Sequence, residues 1–494
     1  MLFAVHCLWH TACAVTRARA IEDEINAMHR LSGQDAYFLY QETPSALMHT
    51  LKILVCRSPA SSDPGEDFRA LVQRSMSVLP LFQYRVIPVP FGLHHPVVIN
   101  DGGFDFDMHL HRIVVPAPGG REQLDQVIGE IAAGALDRSR PLWEIWVVEG
   151  LEGGRIAYIN KIHHLLADGV ASVNYLAHVL YRDPAALATL EIPHFTREEE
   201  PSATRLVADA LRDLLRDFAH FPTLLRDSAR RRKLIEARNR SASVVPAAPY
   251  SKEIPKLRFN RALSNLRNYA TAQFALDDFR KIRERLGGTI NDVALGMIAG
   301  AMRRYLLAHD DLPALPLVCA IPVSADREAA AARISGNNLA YFHVRLRTDI
   351  ADSRARYEAT RAETAAAKEV LELLGREAAR EWMQYIPPLI FSRRRQRDYR
   401  VHAADRMDFP LSGNLIVSNV PGPRETRFTA RGDVCEALYS AGPLTEGTGL
   451  NLTFWSYAGQ MNLGAIACKK ALPDLRRLID DMHAEFAALL EDSG

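Results

Sequence analysis

The sequence predicts a mixed α/β protein built as two lobes. At 494 residues the chain is too long for one ordinary hydrophobic core. Apolar strands and amphipathic helices mix in both halves. Between the halves, over residues 196 to 255, lies a basic helical stretch followed by the Pro-rich linker "SASVVPAAPYSKEIP". The expected partition is therefore an extension at 1 to 27, an N-terminal lobe at 28 to 195, a helical crossover at 196 to 255 and a C-terminal lobe at 256 to 494.

Composition narrows the class. Hydrophobic residues make up 48% and charged residues 24%, as in a water-soluble globular protein. A formal net charge of +1 gives no global reason to expect nucleic acid. The six cysteines are scattered without metal-type spacing or a disulfide framework, so a reducing cytoplasm is the expected setting. The opening "MLFAVHCLWHTACAV" is apolar, but its positive charges follow the apolar stretch. That is the wrong order for a secretory signal, and the run is too short to span a bilayer. Residues 1 to 27 are read as lying outside the fold, with Met28 as an alternative initiator.

The elements follow in order. After a short polar start, "MHTLKILVCRS" reads as a strand and residues 65 to 81 as a helix. "YRVIPVP" and "PVVIND" read as strands, and "REQLDQVIGEIAAGAL" carries apolar residues at helical spacing. "WEIWVVEG" and "GRIAYINKIHH" are apolar strands joined by Gly-rich turn material, which predicts a hairpin. "VASVNYLAHVLY" is helical again. In the second half the predicted strands are "NYATAQFAL", "LPLVCAIPV", "LAYFHVRLR", "GNLIVSNV", "LTFWSYAG" and "MNLGAIAC". The predicted helices are "LDDFRKIRERLG", "TINDVALGMIAGAMRRYLLAH", a stretch over 351 to 375 and a terminal one.

The segment most suggestive of chemistry is "HHLLADG", residues 163 to 169, at the end of the second hairpin strand. Side chains alternate faces along a strand, so His163 and His164 diverge. Diverging histidines without a nearby third ligand argue against a shared metal ion. One ring is free to enter a reaction channel while the other packs. A histidine is the natural general base near neutral pH, and its second nitrogen must be held to fix the tautomer. Asp168 lies past the strand end, where a carboxylate orients the loop by pairing with an arginine. Gly169 permits close approach of backbone or ligand, or a positive φ. The plainer reading is a pair of ordinary histidines beside a turn. Against it stands the whole pattern, which chance yields in about one chain in several hundred.

This stretch resembles the His-His-x-x-x-Asp-Gly motif of the coenzyme-A-dependent acyltransferase superfamily, to which chloramphenicol acetyltransferase and peptide-synthetase condensation domains belong. Other stretches are similar to the bacterial bifunctional wax ester synthase/diacylglycerol acyltransferase family. They are "LSGQDAYFLYQETPSALMH", "RPLWE" with Pro141, Leu142 and Trp143, "GGTINDVALGMIAGAMRRYL" with Asn291 and Asp292, and "SNVPGP" with Ser418 and Asn419. The resemblance runs from about residue 31 to the end, in the family's order. One departure is "IPVSADR", with Asp326 where the family often has arginine and Arg327 one place later.

The resemblance implies two pseudo-symmetric chloramphenicol-acetyltransferase-like lobes with a channel between them and one active site per chain. It implies His164 as general base, His163 in support, and Asp168 paired with an arginine, for which Arg327 is a candidate. The oxyanion donor or channel group is sought among Asn291, Asp292, Ser418 and Asn419. Against these roles, Asn291 also reads as a helix N-cap, Asp292 as a charge favoured at the same helix end, and Asn419 as a turn residue. Pro141, Leu142 and Trp143 read as packing and turn residues.

The implied substrates are a long-chain acyl-CoA with diacylglycerol or a fatty alcohol; no cofactor and no metal is expected. Such acceptors lie in bilayers. The helix over 205 to 240 has ten Arg or Lys against five acidic residues, and "WMQYIPPLIFSRRRQR" sets apolar beside basic residues. Both suit a peripheral contact with the inner face of the membrane or a lipid-droplet surface; an ordinary solvated helix and a buried connector are the plainer readings. Two other functions are weighed: an acyltransferase of the same superfamily acting on a small or carrier-bound acceptor, and a non-catalytic lipid-binding protein on the same fold. A His/Asp metallohydrolase is a more distant third.

Overall fold

The computed structural model describes residues 28–58, 80–181, 197–326, 333–429 and 431–491. The extension at 1 to 27, Arg327 and all but the last two residues of the helix expected over 65 to 81 lie outside these.

The hairpin ending in the two histidines forms as predicted. Strands β6 (Trp143–Leu151) and β7 (Arg155–His163) pair antiparallel. The turn between them needs glycine, because Gly153 and Gly154 sit at φ 72° and 68°. β2 (His49–Arg57) flanks β7 on its other side, with His49 opposite His163 and Thr50 opposite Ile162. β5 (Leu110–Val114) adds a parallel edge to β6.

The C-terminal half supplies the opposite edge of this sheet. β12 (Arg427–Phe428) and β13 (Val434–Ala441) complete the order β12-β13-β2-β7-β6-β5. Residues 427 to 441 thus pair with the first sheet although they lie far beyond 255. Neither strand is among those read from the sequence, and an apolar strand carries no record of which sheet it joins.

The second sheet has the order β10-β9-β11-β14-β15-β8. Its strands are β8 (Arg267–Ala275), β9 (Val318–Ser324), β10 (Leu339–Arg345), β11 (Leu415–Pro421), β14 (Leu450–Tyr457) and β15 (Gln460–Cys468). Each sheet has its own core. One gathers Leu51, Ile53, Ile159 and Trp143. The other gathers Leu452, Phe454 and Leu463 with Val293, Met297 and Ile298. Trp455 and Tyr457, on the other face of β14, belong to the first core. That face of the second sheet is therefore turned toward the first.

Helices cover the outer faces and tie the lobes together. Asp125 on α2 (Arg121–Ala133) accepts from Thr271 on β8, and Gly129 of the same helix lies against the backbone of Arg267. α4 (Ala203–Ser241) is one 39-residue helix that continues through Pro222. It spans the segment read as a crossover. Among the described residues no helix is long and apolar enough to cross a membrane.

Candidate active site

α1 (Gly33–Gln41) begins at Ser32, whose side chain accepts from the Asp35 amide. This places Asp35 and Phe38, three residues apart, on one face of the helix. Phe38 stacks on His164 with ring centroids 4.2 Å apart. Beyond β7, His164 N still donates to Met48 O at 2.7 Å, so the strand pairing continues through the second histidine. The two rings part as strand alternation requires. His163 is buried, whereas His164 is half-buried.

The contacts of His164 decide its chemistry. Its Nδ1 lies 3.1 Å from Asn337 Oδ1. Asn337 Nδ2 is committed as a donor, to Asp35 Oδ1 and His164 O, each at 2.8 Å. Its Oδ1 is therefore the acceptor, and Nδ1 of His164 carries the hydrogen. Nε2 is left with a lone pair, the form a general base requires. Burial pushes the imidazole pKa down to about 4, with the Lys52 ammonium adding to the fall and Asp168 and Asn337 opposing it. The ring is neutral at physiological pH.

His163 is bound differently. Its Nδ1 accepts from Leu165 N at 3.2 Å, so its hydrogen sits on Nε2, which faces Glu42 Oε1 at 3.7 Å. Burial raises the Glu42 pKa, but His163 and Arg138 outweigh this and bring it to about 2. His163 N donates to Leu142 O at 2.9 Å. The Pro-Leu-Trp segment is thereby part of the scaffold. Trp143 is fully buried, donates Nε1–H to Phe82 O at 2.6 Å, and stacks on His109.

Asp168 is fully buried and makes three kinds of contact. Its Oδ1 accepts from Ala171 N at 2.9 Å, capping α3 (Gly169–Val179). Arg333 Nη2 reaches both of its oxygens, at 3.0 and 2.8 Å. Asn338 N donates to Oδ2 at 2.9 Å. The arginine paired with Asp168 is thus Arg333, which also binds Asp326 at 2.9 Å. At Gly169, an added Cβ would lie 3.3 Å from Val420 Cγ2 of β11. Close approach, not a positive φ, is what glycine provides there.

The remaining sequence candidates divide. Ser418 shares a face of β11 with Val420, which touches Gly169; Asn419 projects from the opposite face. Asn291 is not the cap of α6 (Ile290–Ala308), where Thr289 takes that place. Asp292 completes a capping box, with Oδ2 accepting from Thr289 N at 2.8 Å. α6 packs in the second core, on the face of the sheet away from His164.

Sequence reasoning missed the segment that grips the motif loop, Arg333 to Leu339. Gly336 N donates to Leu166 O at 2.6 Å, and Asp168 N donates to Gly336 O at 3.2 Å. Gln34 and Leu339 exchange two hydrogen bonds, at 2.7 and 2.9 Å. The available signal was the turn-type run Ser335-Gly336-Asn337-Asn338 before a strong strand. Asp35 and Phe38 lay in a stretch noted only for its resemblance.

Comparison with known proteins gives the family and the fold. Residues 31–294 match the model of the wax ester synthase/diacylglycerol acyltransferase catalytic domain. Residues 335–490 match that family's C-terminal domain. Two proteins of Mycobacterium tuberculosis H37Rv with the provisional name diacylglycerol O-acyltransferase are similar. One is 36% identical over 473 residues, covering 94% of this chain and 97% of its own. The other is 35% identical over 469 residues, with the same coverages. Among solved structures, the wax ester synthase/diacylglycerol acyltransferase of Marinobacter aquaeolei VT8 aligns with a TM-score of 0.64 at 23% identity, over 94% of this chain and 100% of that one. The first condensation domain of the calcium-dependent antibiotic synthetase aligns at 0.57 and 16% identity, over 94% and 96%. The fold is the two-lobed chloramphenicol-acetyltransferase type. The chain is an acyltransferase and belongs to the wax ester synthase/diacylglycerol acyltransferase family.

Proposed function

We propose that this enzyme moves a long-chain acyl group from acyl-CoA to the hydroxyl of diacylglycerol or of a long-chain alcohol, by direct attack with His164 as general base. The observation that carries the reading is the pinned tautomer: Asn337 holds the Nδ1 hydrogen and leaves Nε2 to take a proton. As the acceptor oxygen bonds to the thioester carbonyl carbon, its proton passes to Nε2. Collapse of the tetrahedral adduct breaks the C–S bond, and the CoA thiolate recovers the proton. His163, Asp168 and Arg333 hold the loop that presents the base. The reaction needs no cofactor.

The test is product analysis. Purified protein given palmitoyl-CoA is expected to form palmitoyl esters with hexadecanol, dioleoylglycerol or both, resolved by chromatography. If ester forms only with a small alcohol or a carrier-bound acceptor, the long-chain reading fails while the acyltransferase stands.

We also infer that the acceptor arrives from a lipid surface. Phe91, Leu389 and Ile390 are exposed, and Gly92 packs close to Leu389, so these apolar side chains neighbour one another. Beneath them lies a cavity of about 390 Å³ lined by Leu39, Tyr40, Val89, Leu142 and Leu389. α1 separates this cavity from the histidine, since Leu39 and Tyr40 face it while Phe38 faces His164. Arg393, Arg394, Arg397 and Arg400, on α9 (Pro388–Arg400), are exposed beside the patch. Apolar insertion with neighbouring arginines suits an anionic interface. The protein is expected to pellet with anionic liposomes at low salt and to be released as salt screens the arginines. Equal recovery in the supernatant with and without liposomes would contradict this.

A further inference from the structure

Lys52 stands on the same sheet face as His164. It lies opposite Asn160 in register, and Asn160 and His164 share a face of β7. Its side chain is buried, and no carboxylate lies within ion-pair distance among the pairs formed by the described residues. Nζ donates to Thr50 Oγ1 and Ser440 Oγ, each at 3.1 Å. Both hydroxyls already donate their own hydrogens, Thr50 to Ala441 O and Ser440 to Leu51 O. They can therefore only accept from the lysine, which uses two of its N–H groups.

The third N–H of the ammonium has no hydrogen-bond partner among the described residues. Nζ sits at the seam between the sheets, 5.7 Å from the centroid of the Trp455 ring on β14. Thr50, its hydrogen-bond partner, is opposite Ile162, two residues before His164 on the same face. The long side chain thus runs toward the base. Among the described residues two further buried polar atoms nearby, Asn160 Oδ1 and Trp455 Nε1, also lack hydrogen-bond partners. A buried amine with an N–H left over, on the sheet face that carries His164, is a costly arrangement unless something negative comes to it.

We propose that Lys52 is a further catalytic residue, whose free N–H receives the carbonyl oxygen of the acyl thioester as negative charge develops on it. The assignment rests on His164 being the base. As the acceptor oxygen forms its bond to the carbonyl carbon and His164 takes the proton, the carbonyl π pair moves onto the oxygen facing Lys52. When the C=O re-forms, the C–S bond breaks, and the thiolate leaves with the proton from His164. Lys52 keeps its own proton throughout. The candidates drawn from the sequence, Asn291, Asp292, Ser418 and Asn419, all lie in the other half of the chain; Lys52 comes from the strand paired with the motif strand itself.

The charge of Lys52 also makes a pH signature. Burial lowers its pKa to about 7, with Asp168 opposing the fall. The groups facing it are His164 and Asp168 beside β7, Ser440 on β13 and Trp455 on β14, and Asp168 is already held by Arg333. Activity should therefore decline as pH rises through about 7, where the ammonium is lost.

The experiment compares wild type, Lys52→Met and His164→Ala in palmitoyl-CoA thiol release with acceptor, across pH, alongside thermal melts. Lys52→Met is expected to lower kcat about 10²–10³-fold with little change in KM. It should melt close to wild type, because methionine fills the same buried space and both hydroxyls keep the carbonyls to which they donate, and its residual activity should lack the decline above neutrality. A wild-type kcat in Lys52→Met while His164→Ala is inactive would overturn the Lys52 assignment alone. Activity in His164→Ala would overturn the base reading and the Lys52 assignment with it. Wild-type kcat that stays level from pH 7 to 9 would also overturn it, without reliance on any variant.

Discussion

His164→Ala is expected to lose turnover by about 10²–10⁴-fold while melting near the wild-type temperature. The ring is half-buried and held by one hydrogen bond and a stack on Phe38, so its loss removes a proton acceptor more than a structural tie. His163→Ala should show the reverse balance. That ring is buried against Glu42 and the Leu165 amide, and its loss leaves a cavity and a carboxylate without its neighbour. The pH profile separates base from scaffold. On the proposed reading His164 works in its neutral form, and burial brings its pKa down to about 4, so kcat/KM should rise through about pH 4, well below the decline expected from Lys52. Kinetics and melts on both variants check these expectations. Greater loss of turnover in His163→Ala than in His164→Ala would reverse the assignment.

Asp168→Ala is expected to be the most destabilising single change at the site. It removes the cap of α3, leaves the Asn338 amide without its acceptor, and strips Arg333 of one of its two carboxylates. Breaking a buried ion pair from one side costs about 3–5 kcal/mol. The pair joins segments 165 residues apart, so the loss should also loosen the grip of Arg333–Leu339 on the motif loop and lower turnover. Replacing both partners removes the stranded charge. Asp168→Ala with Arg333→Met should therefore be more stable than Asp168→Ala alone. Denaturant melts on the single and double variants measure this; additive effects would mean that the two side chains do not act as a pair.

How much of this was legible in the sequence depends on range. The β6–β7 hairpin, the helix after Gly169 and the divergence of the two histidines follow from local pattern, because strand alternation and turn chemistry operate over a few residues. Trp143 as packing was legible for the same reason. The partners of the site were not. Asn337 meets His164 across 173 residues, and Asp35 meets Asn337 across 302. No periodicity encodes such a meeting. The strand β13 was not read from the sequence at all, and its place in the first sheet is set by whole-sheet packing. Lys52 was hidden differently: a single lysine inside "MHTLKILVCRS" reads as the solvent face of a strand until the second sheet is seen to cover it.

The measurement closest to the central claim is the stoichiometry of thiol release from palmitoyl-CoA by the purified wild-type enzyme, with ester product counted in the same tube. Direct attack assisted by His164 predicts one thiol per ester and almost none without an acceptor. Thiol released at the same rate with and without acceptor, or a burst of one equivalent leaving an acylated protein, would contradict it.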